Sequence, residues 1–439
     1  MITNAYAKGS GGDMAILSSL ISEMRRVFDE PDITVATIDK LSHMQELFPD
    51  VRSVSSLITT VWNENASRPQ KLLSLVKNWT AASLWALSFR LFKNRPNWLL
   101  DDAEKESLNR LADADLVVAV GGGYIREFPG LIKIIDLLLT LRMLILSRQM
   151  GKTTVLYSQS VGPFGNKAQE KLAGFVLRKM QFIITRESIS KKLLLRLGVE
   201  ENKIMASVDA AFLVRKQNPE KAPLPQEFEN IRKNYSGLLV GVTARAWLNK
   251  KAQDNYEKQL AYALDTIAER YNARIIFVPQ ATIERHSDDD RIVQKRIFDM
   301  MRQKNRAINL RGAYDFRTLL SIYENLDFMI GTRFHSAIFS LTARVPALVI
   351  AYEHKATGIM EDLGLSEWVT DIDKLEGEKL SRMFDKLYQE KDLYLAQLDK
   401  SLPAYIDIAS SSADKIKEIY LAHKKTEKML AINEDETEA

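Results

Sequence analysis

The chain contains no cysteine among its 439 residues. Disulfides, thiolate metal sites and a cysteine nucleophile are therefore excluded, and the absence suits a reducing cytoplasm. An excess of one charge is missing as well. Sixty-one basic residues against 57 acidic ones leave a formal charge of +4 at pH 7, so no global field for gripping nucleic acid is implied. Long apolar runs are also lacking. The most apolar stretch, "LIKIIDLLLTLRMLILS" at 131–147, holds Lys133, Asp136 and Arg142, and it falls short of the roughly 20 apolar residues that span a bilayer. A buried helix is expected there. The opening "MITNAYAKGSGGDMAILSSL" has a single lysine and no apolar core of the length a secretory signal needs, so export is not expected and a cytoplasmic location is.

What is present is ample material for a core: 46% of the residues are hydrophobic and 27% charged, enough for two domains. Apolar, β-rich runs ending in small or polar residues recur: "ITVATID", "DLVVAVGGG", "TTVLYSQS" and "QFIITRE", then "LLVGVTAR", "ARIIFVPQ", "LDFMIGTR" and "ALVIAY". Segments of helical period separate them, such as "DNYEKQLAYALDTIAERY" and "SDDDRIVQKRIFDMMRQ". Near-continuous apolar strands alternating with helices mean parallel sheets covered on both faces. The expected fold is α/β, with two Rossmann-like doubly wound domains facing a cleft lined by strand C-terminal ends.

The first domain is expected over 1–214. A linker follows at 215–235, in a stretch with three prolines and many charges. The second domain should cover 236–372, with helices over 373–425 packing across the domains and a solvated acidic tail at 426–439. Residues 55–100 break the rhythm. They hold four of the six tryptophans, and after Glu64 their only charges are Arg68, Lys71, Lys77, Arg90, Lys93 and Arg95. Such a segment suits the interface of an anionic membrane; a helical insertion packed on the domain or on a partner subunit fits the same residues.

Several strand ends carry candidate ligand-binding groups. "GGGYIREFPG" follows "DLVVAV", so Gly121, Gly122 and Gly123 sit where a strand ends; glycines there admit a ligand to the backbone, or form a tight turn with no ligand. "YSQSVGPF" directs Ser158, Gln159 and Ser160 towards the crevice, and "TRESIS" adds Arg186. Neither nucleotide fingerprint is met: "GKTT" at 151–154 lacks the earlier glycine of a phosphate loop, and no G-x-G-x-x-G follows a strand. In the second domain "GVTARAW" places Arg245 at a strand end beside Trp247, a platform for a sugar ring, and "VPQ" adds Gln280. The sharpest feature is "GTRFHSAIFSLTARVPALVIAYEHK". Arg333 and His335 lie where a strand passes into an apolar helix, whose N-terminal N–H groups add positive potential. Tyr352, His354 and Lys355 end the next strand, which points to an anion site.

Together with "GGDMAIL", "VDAAF" and "KATGIMEDLGL", these motifs in this order resemble the polysaccharide pyruvyl transferase family over most of the chain. Where that family carries Arg-Leu-His, this chain has Arg333, Phe334 and His335. The resemblance implies a GT-B-like pair of domains. It also implies transfer of the enolpyruvyl group of phosphoenolpyruvate to a sugar as a cyclic ketal, with release of phosphate. That chemistry needs an acid, a base and fixed cations. Histidine serves acid and base roles near neutrality, so His335 is the expected catalytic group, with Asp13 and Asp209 as further candidates. Arginine forks match carboxylate and phosphate oxygens; Arg333 and Arg245 are assigned to the donor, with Lys355 as a point charge and Gln280, Ser336 and Tyr352 beside them. The scheme calls for no metal and no cofactor beyond phosphoenolpyruvate as donor substrate.

The expected acceptor is a sugar of an exopolysaccharide or cell-surface glycan precursor, with a lipid-linked oligosaccharide at the inner face of the cytoplasmic membrane as one form of it. Oligomeric state is left open. Two rival readings stand: a glycosyltransferase of the same architecture using a nucleotide sugar, and a non-catalytic protein of a polysaccharide pathway.

Overall fold

The computed structural model describes residues 1–6, 9–57, 68–127, 133–218, 220–283 and 288–438. The chain forms two compact units: Met1–Ala7, Ile16–Ala210 and Ile408–Ala439 make unit 1, and Lys8–Ala15 and Ala211–Asp407 make unit 2.

Unit 1 is built on an 8-stranded sheet. Its strands are β1 (Ile2–Ala5), β2 (Thr34–Thr37), β3 (Arg52–Ser55), β4 (Leu116–Ala119), β5 (Gly122–Ile125), β6 (Thr153–Val161), β7 (Phe182–Thr185) and β8 (Ile204–Ala206). The order is β3-β2-β1-β4-β6-β7-β8, with β5 pairing β6 and every pair parallel. All nine residues of β6 are buried, as a central strand covered on both faces must be. Among the helices are α1 (Gly11–Val27), α2 (Arg68–Phe92), α3 (Asp102–Asp113) and α4 (Lys133–Gln149). Asp101 caps α3 by accepting from the Glu104 N–H at 2.8 Å. Helix α4 is the expected buried helix: Leu137, Leu141 and Leu144 lie in the core. Its Arg142 is fully buried and is tolerated because Glu104 meets its charge at 3.1 Å and the carbonyls of Leu57 and Asn78 accept from it.

Unit 2 holds β9 (Leu239–Thr243), β10 (Arg274–Phe277), β11 (Thr282–Ile283), β12 (Asp288–Asp289), β13 (Ala307–Asn309), β14 (Phe328–Gly331), β15 (Ala347–Ala351) and β16 (Val369–Asp371). Six of them form a parallel sheet in the order β13-β10-β9-β14-β15-β16, while β11 and β12 make a separate antiparallel pair. Its helices include α5 (Gln226–Asn234), α6 (Lys250–Arg270), α7 (Asp290–Met300), α8 (Phe316–Tyr323), α9 (Phe334–Thr342), α10 (His354–Asp362) and α11 (Gly377–Gln389). The long helix α12 (Lys391–Glu438) begins in unit 2 and contributes to unit 1 from Ile408.

The expected doubly wound fold is present in both units. The first unit gives way to the second at Ala210/Ala211, not at 214. The stretch 215–235 is not a bare linker, because Phe228 and Ile231, one helical turn apart, seat α5 in unit 2. The tail at 426–439 continues α12 as helix through Glu438, in keeping with its alanine and glutamate content.

Candidate functional site

In each sheet the strand order reverses once, between β1 and β4 in unit 1 and between β9 and β14 in unit 2. Crevices beyond the strand C-termini at such reversals are where open α/β sheets hold ligands. In unit 2 the two strands run in register from Val240↔Phe328 to Thr243↔Gly331, so the segments that leave them emerge together. The Thr243 hydroxyl ties them: it donates to Ser336 Oγ at 2.9 Å and accepts from the Thr332 and Arg333 N–H groups at 3.0 and 3.3 Å. Ser336 in turn donates to the Arg333 carbonyl at 2.5 Å and is fully buried. Its hydroxyl thus fixes the backbone at the start of α9.

Arg333, expected to bind the donor, has a carboxylate partner. Its Nε and Nη2 both bond Asp290 Oδ1, at 2.8 and 2.6 Å, and the pair is buried. Asp290 Oδ2 accepts from the backbone N–H groups of Gln280 and Ala281, each at 3.0 Å. The carboxylate therefore couples the start of α9 to the segment leaving β10. Charge-assisted contacts of this kind are short and strong, and a buried arginine without its carboxylate would be costly.

His335 occupies the first turn of α9, its ring edge-on to Phe334 at 5.1 Å between centroids. The loop before α1 docks here. The Gly11 N–H donates to the Gln280 carbonyl at 3.1 Å, the Thr282 N–H donates to the Gly9 carbonyl at 2.7 Å, and Ser10 bridges Ala281. A side chain on Gly12 would put its Cβ 1.9 Å from His335 Nδ1. The glycine of "GGD" is thus required by a close approach to the histidine, and Asp13 follows it in the first turn of α1, half-buried, its N–H 3.4 Å from Ser10 Oγ. Gln280 is buried and accepts from the Tyr323 hydroxyl at 2.8 Å; its Nε2 has no hydrogen-bond partner among the described residues. Burial, then the nearby charge of Asp290, holds the Tyr323 phenol well above its ordinary pKa, which keeps it a donor.

Beyond β9, Arg245 lies against two adjacent rings, whose centroids are 4.8 Å apart. Its guanidinium carbon is 4.6 Å from the Trp247 centroid and 4.7 Å from that of Tyr352, and its Nη1 donates to the Tyr352 hydroxyl at 2.6 Å. Trp247, expected to stack on a sugar, has Arg245 on its ring and remains 39% exposed. Gln253 of α6 holds this loop by accepting from the Trp247 and Leu248 N–H groups at 3.0 and 3.2 Å and donating to the Arg245 carbonyl at 3.1 Å. After β15, which neighbours β14 as expected, Lys355 sits 3.4 Å from Glu353 and His354 is exposed.

The remaining candidates belong to unit 1 and form a second cluster. Arg186 donates through Nε to Ser160 Oγ and through Nη1 to Asp209 Oδ2, both at 2.7 Å, with every member buried. Ser158, at φ 52°, accepts from the Ala210 N–H at 3.0 Å. Gln159 donates through Nε2 to the Gly122 and Ser160 carbonyls, each at 2.8 Å. The backbone that approaches Gly121 is that of β6: a Cβ would lie 2.2 Å from the Ser158 carbonyl oxygen. Gly122 and Gly123 begin β5 on the same strand. Asp209, a candidate acid or base, thus has its carboxylate engaged by a guanidinium.

Four residues that shape the unit 2 site escaped the sequence reading: Thr243, Gln253, Asp290 and Tyr323. Of these only Asp290 left a trace, the run of three aspartates that ends where a helical period begins.

A family model described as polysaccharide pyruvyl transferase matches residues 11–354. The chain is 25% identical over 391 residues to the amylovoran biosynthesis protein AmsJ of Erwinia amylovora, covering 85% of this chain and 88% of that one. A solved structure of a putative UDP-N-acetylglucosamine 2-epimerase from Listeria monocytogenes matches with a TM-score of 0.62 at 11% identity, over 97% of this chain and 96% of that one. A glycosyltransferase from Rickettsia africae matches with 0.56 at 14% identity over 94% of each chain. At these identities the structural likeness establishes a GT-B-like fold and carries no substrate with it.

Proposed function

Because the chain belongs to the polysaccharide pyruvyl transferase family, we propose that it moves the enolpyruvyl group of phosphoenolpyruvate onto a sugar of an exopolysaccharide or cell-surface glycan precursor. The product is a cyclic ketal, and inorganic phosphate is released. The observation that carries this reading is the position of His335, at the N-terminus of α9 and against Gly12, beside a sheet reversal whose other strand delivers Arg245.

The reaction begins with a proton delivered to the methylene carbon of the donor, which makes C2 electrophilic. One sugar hydroxyl adds to C2, the C2–O bond to phosphate breaks, and a second hydroxyl of the same sugar closes the ring. Of the two hydroxyl protons lost, one balances that gained by the methyl group and the other leaves with phosphate. His335 is the group we assign to proton transfer, since imidazole gives and takes protons near neutrality. Arg245 and Lys355 supply the cations for carboxylate and phosphate, and the Gln280 Nε2 supplies a neutral donor. Preorganised donors of this kind lower a barrier by about 3 kcal/mol each when well placed. Arg333 acts as a positioning residue: its bond to Asp290 sets the backbone from which His335 projects. Asp209 is left outside the proton transfer, because it lies in unit 1 with Arg186 bonded to its Oδ2.

The test is to incubate the protein with phosphoenolpyruvate and a glycan acceptor bearing a suitable pair of hydroxyls. Phosphate release with a matching mass gain of one pyruvylidene group on the acceptor, both lost in His335→Asn, is the expected result. Nucleotide release from a nucleotide sugar, with phosphoenolpyruvate untouched, would replace this reading with a glycosyltransferase.

A further inference from the structure

Helix α2 has two opposite faces, and unit 1 covers one of them. Ala82, Trp85, Ala86 and Phe89 are buried in a core with Leu108 and Met143. Trp85 and Phe89 stack at 5.9 Å, the Trp85 indole N–H donates to Asn97 Oδ1 at 3.1 Å, and buried Arg142 donates to the Asn78 carbonyl at 2.9 Å. The helix is therefore firmly seated. Its other face carries Leu73, Val76, Leu84, Leu87 and Leu91, exposed by 71, 56, 52, 49 and 60%. At about 100° per residue these fall on one stripe running along the helix. Phe92, the last residue of the helix, is 76% exposed, and Trp98 beyond it is 82% exposed. Scattered apolar residues on a surface need no explanation, but an ordered stripe with an exposed tryptophan beyond it marks an interaction face.

The charges around the stripe say what covers it. No acidic residue occurs between 65 and 100, while Lys77, Arg90 and Lys93 are exposed along the helix and just beyond it. A second copy seated on this face would bring two basic borders together without a carboxylate between them. Lipid phosphates offer the complementary charge, and the acyl boundary accepts the leucines and the indole. Among the described residues no helix is long and apolar enough to cross a membrane, so the fit is to a helix lying on the surface.

We propose that this face of α2 docks the protein onto the surface of an anionic lipid bilayer, its leucine stripe at the acyl boundary and its lysines and arginine on the phosphates. The inference does not depend on the donor chemistry assigned to unit 2. It is tested by co-sedimentation of the full chain with phosphatidylcholine vesicles, with and without phosphatidylglycerol, at two salt concentrations. The expected result is binding that requires phosphatidylglycerol and weakens with salt. Leu84→Glu with Leu87→Glu should abolish it. The triple change Lys77→Gln, Arg90→Gln and Lys93→Gln should weaken it by about 100-fold, at roughly a factor of five per cation near the surface. All five side chains are exposed, Lys93 with its Nζ 5.4 Å over the Phe89 ring, so the melting temperature should change little in either variant. No binding to either vesicle, or binding to anionic vesicles that the two glutamates leave intact, would overturn the proposal. So would a concentration-dependent dimer in buffer that the glutamates dissociate, since the face would then be a self-interface.

Discussion

Two clusters of polar residues stand at strand ends of this protein, one in each unit, and they differ in what their charges touch. In unit 1, Arg186, Asp209 and Ser160 are buried and bonded to one another. In unit 2, Arg333 is likewise tied to Asp290, but around that pair stand groups that are less than fully buried: half-buried His335 and Arg245, and Lys355 near Glu353. A sealed cluster supplies rigidity, whereas one with a buried anchor and a partly open rim can both position and bind. We propose from this difference that the unit 1 cluster serves stability and the rim of the unit 2 cluster serves the chemistry.

The difference can be broken by mutation. The largest effects are expected from the buried pairs: Asp209→Ala and Asp290→Ala each leave an arginine buried without its carboxylate, which costs about 3–5 kcal/mol of folding stability in denaturant titrations. They should part in function, with Asp209→Ala retaining phosphoenolpyruvate binding below its melting temperature and Asp290→Ala losing turnover. Next comes His335→Asn, for which we expect kcat to fall by about 10²- to 10³-fold while the melting temperature and the KM for phosphoenolpyruvate barely move. An unfolded His335→Asn variant would place that histidine with the sealed cluster instead. Arg245→Ala should raise the donor KM by about 10- to 100-fold, the worth of one or two hydrogen bonds to a charged group. Smallest is Trp247→Ala, which removes one ring from Arg245 and should shift donor affinity by about 2- to 5-fold, in line with a half-exposed cation–π contact.

Much of this fold was legible in the sequence, because a strand buried on both faces must be a run of apolar, mainly β-branched residues. That is why β4, β6, β9, β10, β14 and β15 are visible as "LVVA", "TTVLYSQSV", "LVGVT", "RIIF", "FMIG" and "ALVIA". Edge strands bury less and show less: "RSVS" of β3 and "VTD" of β16 carry no such run. Strand β1 is short but central, and "ITNA" has too little apolar signal to stand out.

The candidate site divides along the same line. That Arg333 and His335 sit at a strand end was readable from "FMIGTRFH", since a glycine after an apolar run marks the exit from a strand. What Arg333 touches was not, because Asp290 lies 43 residues away and its pairing is a consequence of how β10, α7 and α9 pack. The same holds for Trp247, whose neighbour in the sequence gives no sign that Arg245 folds back over its ring. Long-range contacts thus set a buried aspartate beside Arg333 and an arginine over the Trp247 ring, neither of which the local sequence shows.

The most direct test of the account is a calorimetric titration of the intact protein with phosphoenolpyruvate, and with a panel of nucleotide sugars, in the wild type, Arg245→Ala and Asp209→Ala. The account predicts saturable binding of phosphoenolpyruvate that is weakened in Arg245→Ala and kept in Asp209→Ala, with no nucleotide sugar bound. Saturable binding of a nucleotide sugar in place of phosphoenolpyruvate, or phosphoenolpyruvate binding that Arg245→Ala leaves unchanged, would contradict it.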